Sequence, residues 1–130
     1  MIIDTSAIIA ILRGEPEAQR CAVAIESHST RRMSAANFVE AAVVIDGSRD
    51  PIASRRFDEL MKEAQISIES VTEAQAQVAR EAYRDFGKGS GHPAKLNFGD
   101  CFAYALAKST GEPLLFKGDD FIHTDIVPAA

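Results

Sequence analysis

Asp4, Glu40 and Asp100 are carboxylates set where their neighbours are apolar. Asp4 follows Met1-Ile2-Ile3 directly. Glu40 and Asn37 are the only polar residues between Ala35 and Ile45, and Asp100 lies inside the largely apolar stretch from Leu96 to Leu106. An ionised carboxylate drawn into an apolar interior costs several kcal/mol unless it is paired or bound to a metal. Each acid also has an ordinary explanation. Asp4 can be a turn or cap residue, Glu40 can pair with an Arg or Lys, and Asp100 can complement a helix dipole three residues past an Asn cap. Taken together the ordinary explanations weaken, because all three acids fall near element ends that one cleft can share. Within about 4–6 Å of one another they repel, and each raises the others' pKa unless a cation lies between them. An oxygen-only donor set selects hard ions, Mg²⁺ or Mn²⁺. The chemistry such a site supports best is in-line displacement at phosphorus by a metal-activated water.

The elements that must position these acids follow from the pattern. A first strand ends at Asp4, and Thr5 or Ser6 is placed to cap a helix over Ala7 to Leu12. Pro16 suits the first turn of a second helix, Glu17 to Ser27, with Ala18, Cys21, Ala22 and Ile25 on one face. Met33-Ser34 reads as the end of a very short strand, with Ser34 capping a third helix, Ala35 to Asp46, buried nearly all round. A turn at residues 47–51 precedes a fourth helix, Ile52 to Gln65, with Phe57, Leu60 and Met61 inward. Ile66 to Val71 alternates at period two, as a half-buried strand does. Thr72 to Gln75 is a capping box opening a fifth helix to Phe86. Asn97 caps a sixth helix to Thr110, which Gly111-Glu112-Pro113 stops. Leu114 to Phe116 is a buried strand, and Asp125 to Val127 is expected as a last edge strand. Short strands alternating with helices predict a single α/β domain, residues 1–130, with a mainly parallel sheet.

The bulk properties narrow the function. At 130 residues, with 46% hydrophobic and 25% charged residues, the composition is that of an ordinary soluble domain. The net charge of −5 argues against a protein that coats nucleic acid nonspecifically, but acids that hold metal ions inflate that count. Cys21 and Cys101 are isolated, and His28, His92 and His123 are scattered, which points away from a disulfide framework and from zinc. The longest early apolar stretch is too short to span a bilayer and no basic leader precedes it, so a cytoplasmic protein without membrane contact is expected. The glycine-rich, basic loop Gly87 to Lys95 lacks the Gly-Lys-Ser/Thr ending of a phosphate-binding loop and follows no strand. Its Lys88 and Lys95, with Lys117, are candidates for sequence-independent contacts to an RNA backbone. Tyr83, Phe98 and Tyr104 are available either to stack on bases or to pack in the core.

Met1-Ile2-Ile3-Asp4-Thr5-Ser6-Ala7, Glu40 in a helix opened by Ser34, Asn97-Phe98-Gly99-Asp100-Cys101 and Leu114 to Phe121 together resemble the PIN-domain ribonucleases. Among these the likeness is strongest to the VapC toxins of bacterial toxin–antitoxin pairs, in order and spacing over nearly the whole chain. The resemblance implies a three-layer α/β/α domain that cleaves RNA with Mg²⁺ or Mn²⁺, forms a homodimer and is held inactive by a VapB-type antitoxin. It implies metal ligation by Asp4 and Asp100, with Glu40 completing the site or orienting the attacking water. The helices at Glu17 to Ser27 and Ile52 to Gln65 carry apolar stripes that can serve a dimer interface or the core. Members usually carry a fourth acid just after the fourth strand. Here the strand runs into Phe116-Lys117-Gly118, so Asp119, Asp120 and, more distantly, Asp125 compete for that role, with Asp120 preferred. Nothing in the chain selects among transfer, ribosomal and messenger RNA.

Rival classes fit less well. An aspartyl-nucleophile phosphohydrolase needs a second Asp two residues after the first, where this chain has Ser6. A receiver domain needs an Asp after a middle strand, where Glu69-Ser70-Val71-Thr72 offers none. A non-catalytic interaction module that keeps the fold remains the alternative.

Overall fold

The computed structural model describes residues 1–130. Four short strands, β1 (Ile2–Ile3), β2 (Arg32–Ser34), β3 (Ser67–Glu69) and β4 (Leu114–Leu115), form one parallel sheet in the order β3-β2-β1-β4. Six helices make the crossovers. α1 (Thr5–Arg13) and α2 (Ala18–Ser27) join β1 to β2, and α3 (Ala35–Asp46) and α4 (Pro51–Glu63) join β2 to β3. α5 (Glu73–Phe86) and α6 (Phe98–Thr110) carry the chain back to β4, on the far side of β1. The strand order therefore reverses between β1 and β4, the switch point where open α/β sheets leave a crevice beyond the carboxyl ends of the strands.

The strand residues divide between two cores by their period of two. Ile3, Met33 and Leu115 face a layer built from α1 to α4, with Ile8, Cys21, Ile25, Ala41, Ile45 and Phe57. Ile2, Leu114 and Phe116 face the other layer, with Leu96, Ala103, Leu106 and Phe121 around α5 and α6. The result is a three-layer α/β/α arrangement. The third helix starts where Ser34 Oγ accepts the Ala36 N–H, and the sixth where Asn97 and Asp100 form a reciprocal capping box. The fourth starts at Pro51 behind an Asp50 cap.

Several expectations are corrected. α1 is capped by Asp4 rather than by Thr5 or Ser6, so the helix begins at Thr5. α3 is not buried all round: Val39 and Val43 are 56% and 65% exposed, because only its Ala41–Ile45 side meets the core. β3 does not alternate in burial. Ile66 is buried, but Ile68 is exposed, since β3 is an edge strand while α6 packs on β1, β2 and β4. Asp125 to Val127 forms no strand. Only an isolated bridge between Leu114 and Pro128 occurs there, after a single 3₁₀ turn at Phe121–His123. In α2 and α4, Cys21, Ile25 and Phe57 of those stripes point into the core, while Ala18, Ala22, Leu60 and Met61 are only partly buried.

The layers predict a contrast measurable by urea unfolding. Ile8→Ala, which empties a fully buried position, is expected to cost about 2–5 kcal/mol. Val43→Ala on the exposed face of α3 is expected to stay within about 0.5 kcal/mol of wild type.

Candidate active site

Asp4 sits at the carboxyl end of β1, on the switch-point side. Its main-chain N–H donates to Leu115 O at 2.9 Å, which ties the end of β1 to β4. Its Oδ2 accepts the Ser6 hydroxyl at 2.6 Å and the Ser6 N–H at 3.0 Å. Ser6 Oγ in turn accepts the Lys117 N–H at 2.9 Å, so one hydroxyl joins β1, α1 and the segment after β4. The other oxygen, Asp4 Oδ1, is buried and has no hydrogen-bond partner. Burial is the main reason the Asp4 carboxyl titrates far above its ordinary 3.8, at about 6; the Ser6 bonds oppose this and repulsion from Glu40 adds to it.

Asp100 stands in the first turn of α6. Its Oδ2 accepts the Asn97 N–H at 3.0 Å, while Asn97 Oδ1 accepts the Asp100 N–H at 2.9 Å. The helix-cap explanation therefore holds for Asp100, and the cap leaves its carboxylate on the cleft. Burial, then repulsion from Asp4, lifts its pKa to about 7, with Asp120 and Glu40 contributing further. Glu40 reaches the cleft from α3. Thr5 Oγ1 donates to its Oε1 at 2.5 Å, and the Asn37 amide donates to the same oxygen at 3.4 Å. Gly99 lets it come so close to α6, because a Cβ there would overlap the Glu40 carboxylate. No Arg or Lys pairs with Asp4, Glu40 or Asp100, so the structural ion pair expected as the ordinary alternative for Glu40 is absent.

The three acids line one open cleft of about 380 Å³ together with Thr5, Ser6, Arg13, Glu15, Asn97 and Lys117. A larger depression of about 540 Å³ lies along α5, but a single helix lines it and Glu81 is its one acid. Two helix N-termini, those of α1 and α6, open at the cleft, and their partial positive charge favours carboxylates there. The side chains do not close into a ready cage: no three His, Cys, Asp or Glu residues gather at ligating distance. The donor set nevertheless suits a hard cation, with an unpartnered, buried Asp4 oxygen and a second carboxylate whose charge Asp4 itself disfavours.

The other predicted residues separate clearly. Asp120 is exposed but near enough to Asp100 to raise its pKa, whereas Asp119 lies in the bend before it. Asp125 is excluded from the cleft, since it accepts Tyr104 OH at 2.8 Å and Lys108 Nζ at 2.6 Å. Lys88 and Lys95 are exposed on their loop and do not line the cleft. Lys117 does, although its Nζ is paired with Glu15 at 2.9 Å. Arg13, overlooked in the sequence because it reads as an ordinary basic residue in a last helical turn, is exposed at the cleft with no acidic partner. Tyr104 is buried, whereas Phe98 is 77% exposed beside Asn97.

The PIN-domain family model matches residues 1–127. The chain belongs to the PIN-domain family. Ribonuclease VapC28 of Mycobacterium tuberculosis is 58% identical over 126 residues, covering 97% of this chain and 95% of that protein. Among solved structures, VapC20 of Mycobacterium tuberculosis, a sarcin–ricin loop cleaving toxin, superposes with a TM-score of 0.74 at 16% identity, covering 97% of this chain and 95% of that one. A toxin–antitoxin complex from Klebsiella pneumoniae gives 0.66 at 20% identity, covering 92% of this chain and 88% of the matched chain. The PIN fold expected from the resemblance is therefore present, and the chain groups with the VapC ribonucleases. No helix is long and apolar enough to cross a membrane.

The raised carboxyl pKa values set a pH dependence for this PIN domain. The unfolded chain releases the Asp4 proton near pH 4, whereas the folded chain holds it to about 6. Between those values the folded state binds more protons, so this group's contribution to stability is full below pH 4 and falls as pH rises to about 6. Asp4→Asn is expected to raise the urea midpoint in EDTA at pH 7.5 and to give no gain at pH 4. The gain is bounded at about 3 kcal/mol, since each pH unit between the two pKa values is worth about 1.4 kcal/mol.

Proposed function

We propose that this PIN domain is a Mg²⁺- or Mn²⁺-dependent endoribonuclease, the toxin of a VapBC-type pair, neutralised by a cognate VapB-type antitoxin. The observation that carries the reading is the convergence of Asp4, Glu40 and Asp100 on one open cleft, with Asp4 Oδ1 buried and unpartnered. The likeness to proteins named VapC ribonucleases supports the activity and the antitoxin. The homodimer implied by the resemblance belongs to the same reading.

Asp4 and Asp100 would hold the ion, with Asp120 as the fourth acid ahead of Asp119. Bound there, the ion would lower the pKa of a water and offset the charge on the scissile phosphate. Glu40, held by Thr5 and Asn37, would orient a water in the cleft and accept its proton. Ser6 keeps Asp4 Oδ2 engaged and leaves Oδ1 without a partner, so Oδ1 is the oxygen that would hold the ion. Arg13 contacts the RNA backbone at the rim, a contact that positions the strand without reading its sequence. Lys117 joins it only when it leaves Glu15. Phe98, exposed one residue from the Asn97 cap, is the aromatic best placed for a splayed base.

The test is cleavage of total RNA by purified, antitoxin-free protein in Mn²⁺ or Mg²⁺. Fragments are expected that vanish in EDTA, and Asp4→Asn and Asp100→Asn are each expected to lower the rate by about a hundredfold or more, the scale of losing one preorganised charge-stabilising group. Asp120→Asn should cost more than Asp119→Asn. Folded protein that cuts nothing in either metal would turn the reading to a non-catalytic interaction module. Equal cutting by the Asn variants would mark a contaminant.

Arg13→Ala is expected to raise KM for RNA several-fold while changing kcat little, as loss of a contact made equally in ground and transition states does. A steady-state titration of a short RNA checks the split.

A further inference from the structure

Asn37 is the second polar residue of the Ala35–Ile45 run, and its own role is the less obvious of the two. Its side chain is 0% exposed. The amide Nδ2 donates to Gly99 O at 3.0 Å and, more loosely, to Glu40 Oε1 at 3.4 Å, while Oδ1 has no partner. The reversed amide would aim its carbonyl at two acceptors, so the partners themselves fix its orientation. A buried polar group left unpaired costs about 1–3 kcal/mol, which a leucine of similar volume in the same place would avoid. Packing therefore does not account for an asparagine here. What it links does.

Gly99 immediately precedes Asp100 in α6, and Glu40 lies three residues beyond Asn37 on the same face of α3. Thr5, next to Asp4, gives its hydroxyl to Glu40 Oε1 and lies 3.2 Å from Asn37 O. A line of contacts thus runs from the neighbour of Asp4, through Glu40 and Asn37, to the neighbour of Asp100. It joins α3 of one helical layer to α6 of the other at the switch-point end of the sheet. Asp100 is repelled by Asp4, so that force acts to push the first turn of α6 outward. The Asn37 to Gly99 bond is the side-chain hydrogen bond that directly holds α6 to α3 against it.

We propose that Asn37 is a positioning residue of the acidic site: its amide fixes the first turn of α6 against Glu40 and so sets the spacing of Asp100 from Asp4 and Glu40, on which the hold on a divalent cation would depend. This rests on the metal-site reading above and goes beyond it. Asn37 touches no reacting atom. Its effect passes through Gly99 O and Glu40.

Mn²⁺ affinity, read from the electron paramagnetic resonance signal of free Mn²⁺, tests this without relying on turnover. The samples are wild type, Asp4→Asn, Asn37→Leu and Asn37→Ser, each with a urea curve in EDTA. Ser is the milder change, because one hydroxyl proton cannot serve both Gly99 O and Glu40. Both Asn37 variants are expected to bind Mn²⁺ about tenfold more weakly, the usual scale for losing a group that orients a ligand. Wild-type affinity in either folded variant would overturn the proposal, even where the urea midpoint falls, since that is all a purely structural asparagine would change. If Asn37→Leu does not fold, Asn37→Ser decides. Wild type that binds Mn²⁺ no better than Asp4→Asn would instead overturn the metal site itself, and with it the role given to Asn37.

Discussion

Like charges brought together in a partly buried cleft are the force that the rest of this fold has to oppose. Asp4 and Asp100 are each held well above the usual carboxylate pKa, chiefly by burial and then by their neighbours' charge. No basic side chain neutralises them, and the one lysine in the cleft is turned to Glu15. What opposes the repulsion is mostly backbone. α1 and α6 are capped by Asp4 and Asn97; Asp4 accepts the Ser6 N–H in the first turn of α1, and Asp100 accepts the N–H of the Asn97 cap. Helix caps supply weak positive charge that cannot move away, where a lysine could. The acids are thereby tolerated without being neutralised, which leaves them available to a cation.

The sheet order makes that convergence possible with very little strand. β1 and β4 contain two residues each, yet those residues alternate between the two cores and so lock both helical layers. Because the crossovers run from β1 to β3 and then return past β1 to β4, the ends of β1 and β4 face a crevice that no connection covers. Asp4 reaches that crevice from the sheet, Glu40 from one helical layer and Asp100 from the other. Residues far apart in sequence, 4, 40 and 100, meet because Asp4 ends β1, Asp100 starts α6, and Glu40 reaches the same cleft from the middle of α3.

Local rules made some of this legible in the amino-acid sequence. Ser34 and Asn97 mark the starts of α3 and α6 by hydrogen bonds that span two or three residues, and Gly111 ends α6 in the left-handed conformation its sequence suggests. Those signals are short-range, so a single chain reveals them. The misread elements depended on neighbours distant in sequence. Ile68 alternates correctly but lies on an edge strand, and Val39 and Val43 continue an apolar run on a face that nothing in the chain covers. Lys88 and Lys95 are adjacent to the Asp100 helix in sequence but lie outside the cleft, while Arg13 comes to it from the end of α1. Acids in apolar surroundings stood out because burying charge is costly enough to need a reason. A lone arginine at a helix end needs none, and it passed unnoticed.

The same reasoning, applied to polar groups rather than charges, separates the site from the scaffold. A sequence consistent at every level would satisfy its buried polar atoms and keep its cores apolar. Four buried polar atoms lack a hydrogen-bond partner: Glu17 Oε2 and Arg32 Nε, which each face an opposite charge, and Asp4 Oδ1 and Asn37 Oδ1, which face none and lie where α1, α3 and α6 meet. In the sequence Asn37 signals less than Glu40, since an amide carries no charge to account for. In the fold it joins α3 to the residue before Asp100 and shares Glu40 with Thr5, the residue after Asp4. A stabler arrangement, with leucine for Asn37 and an arginine against Asp4, would remove both costs and offset part of the cleft's charge. That the chain bears both costs at one junction, and that the junction borders all three acids, ties them to what the acids do rather than to how the protein folds.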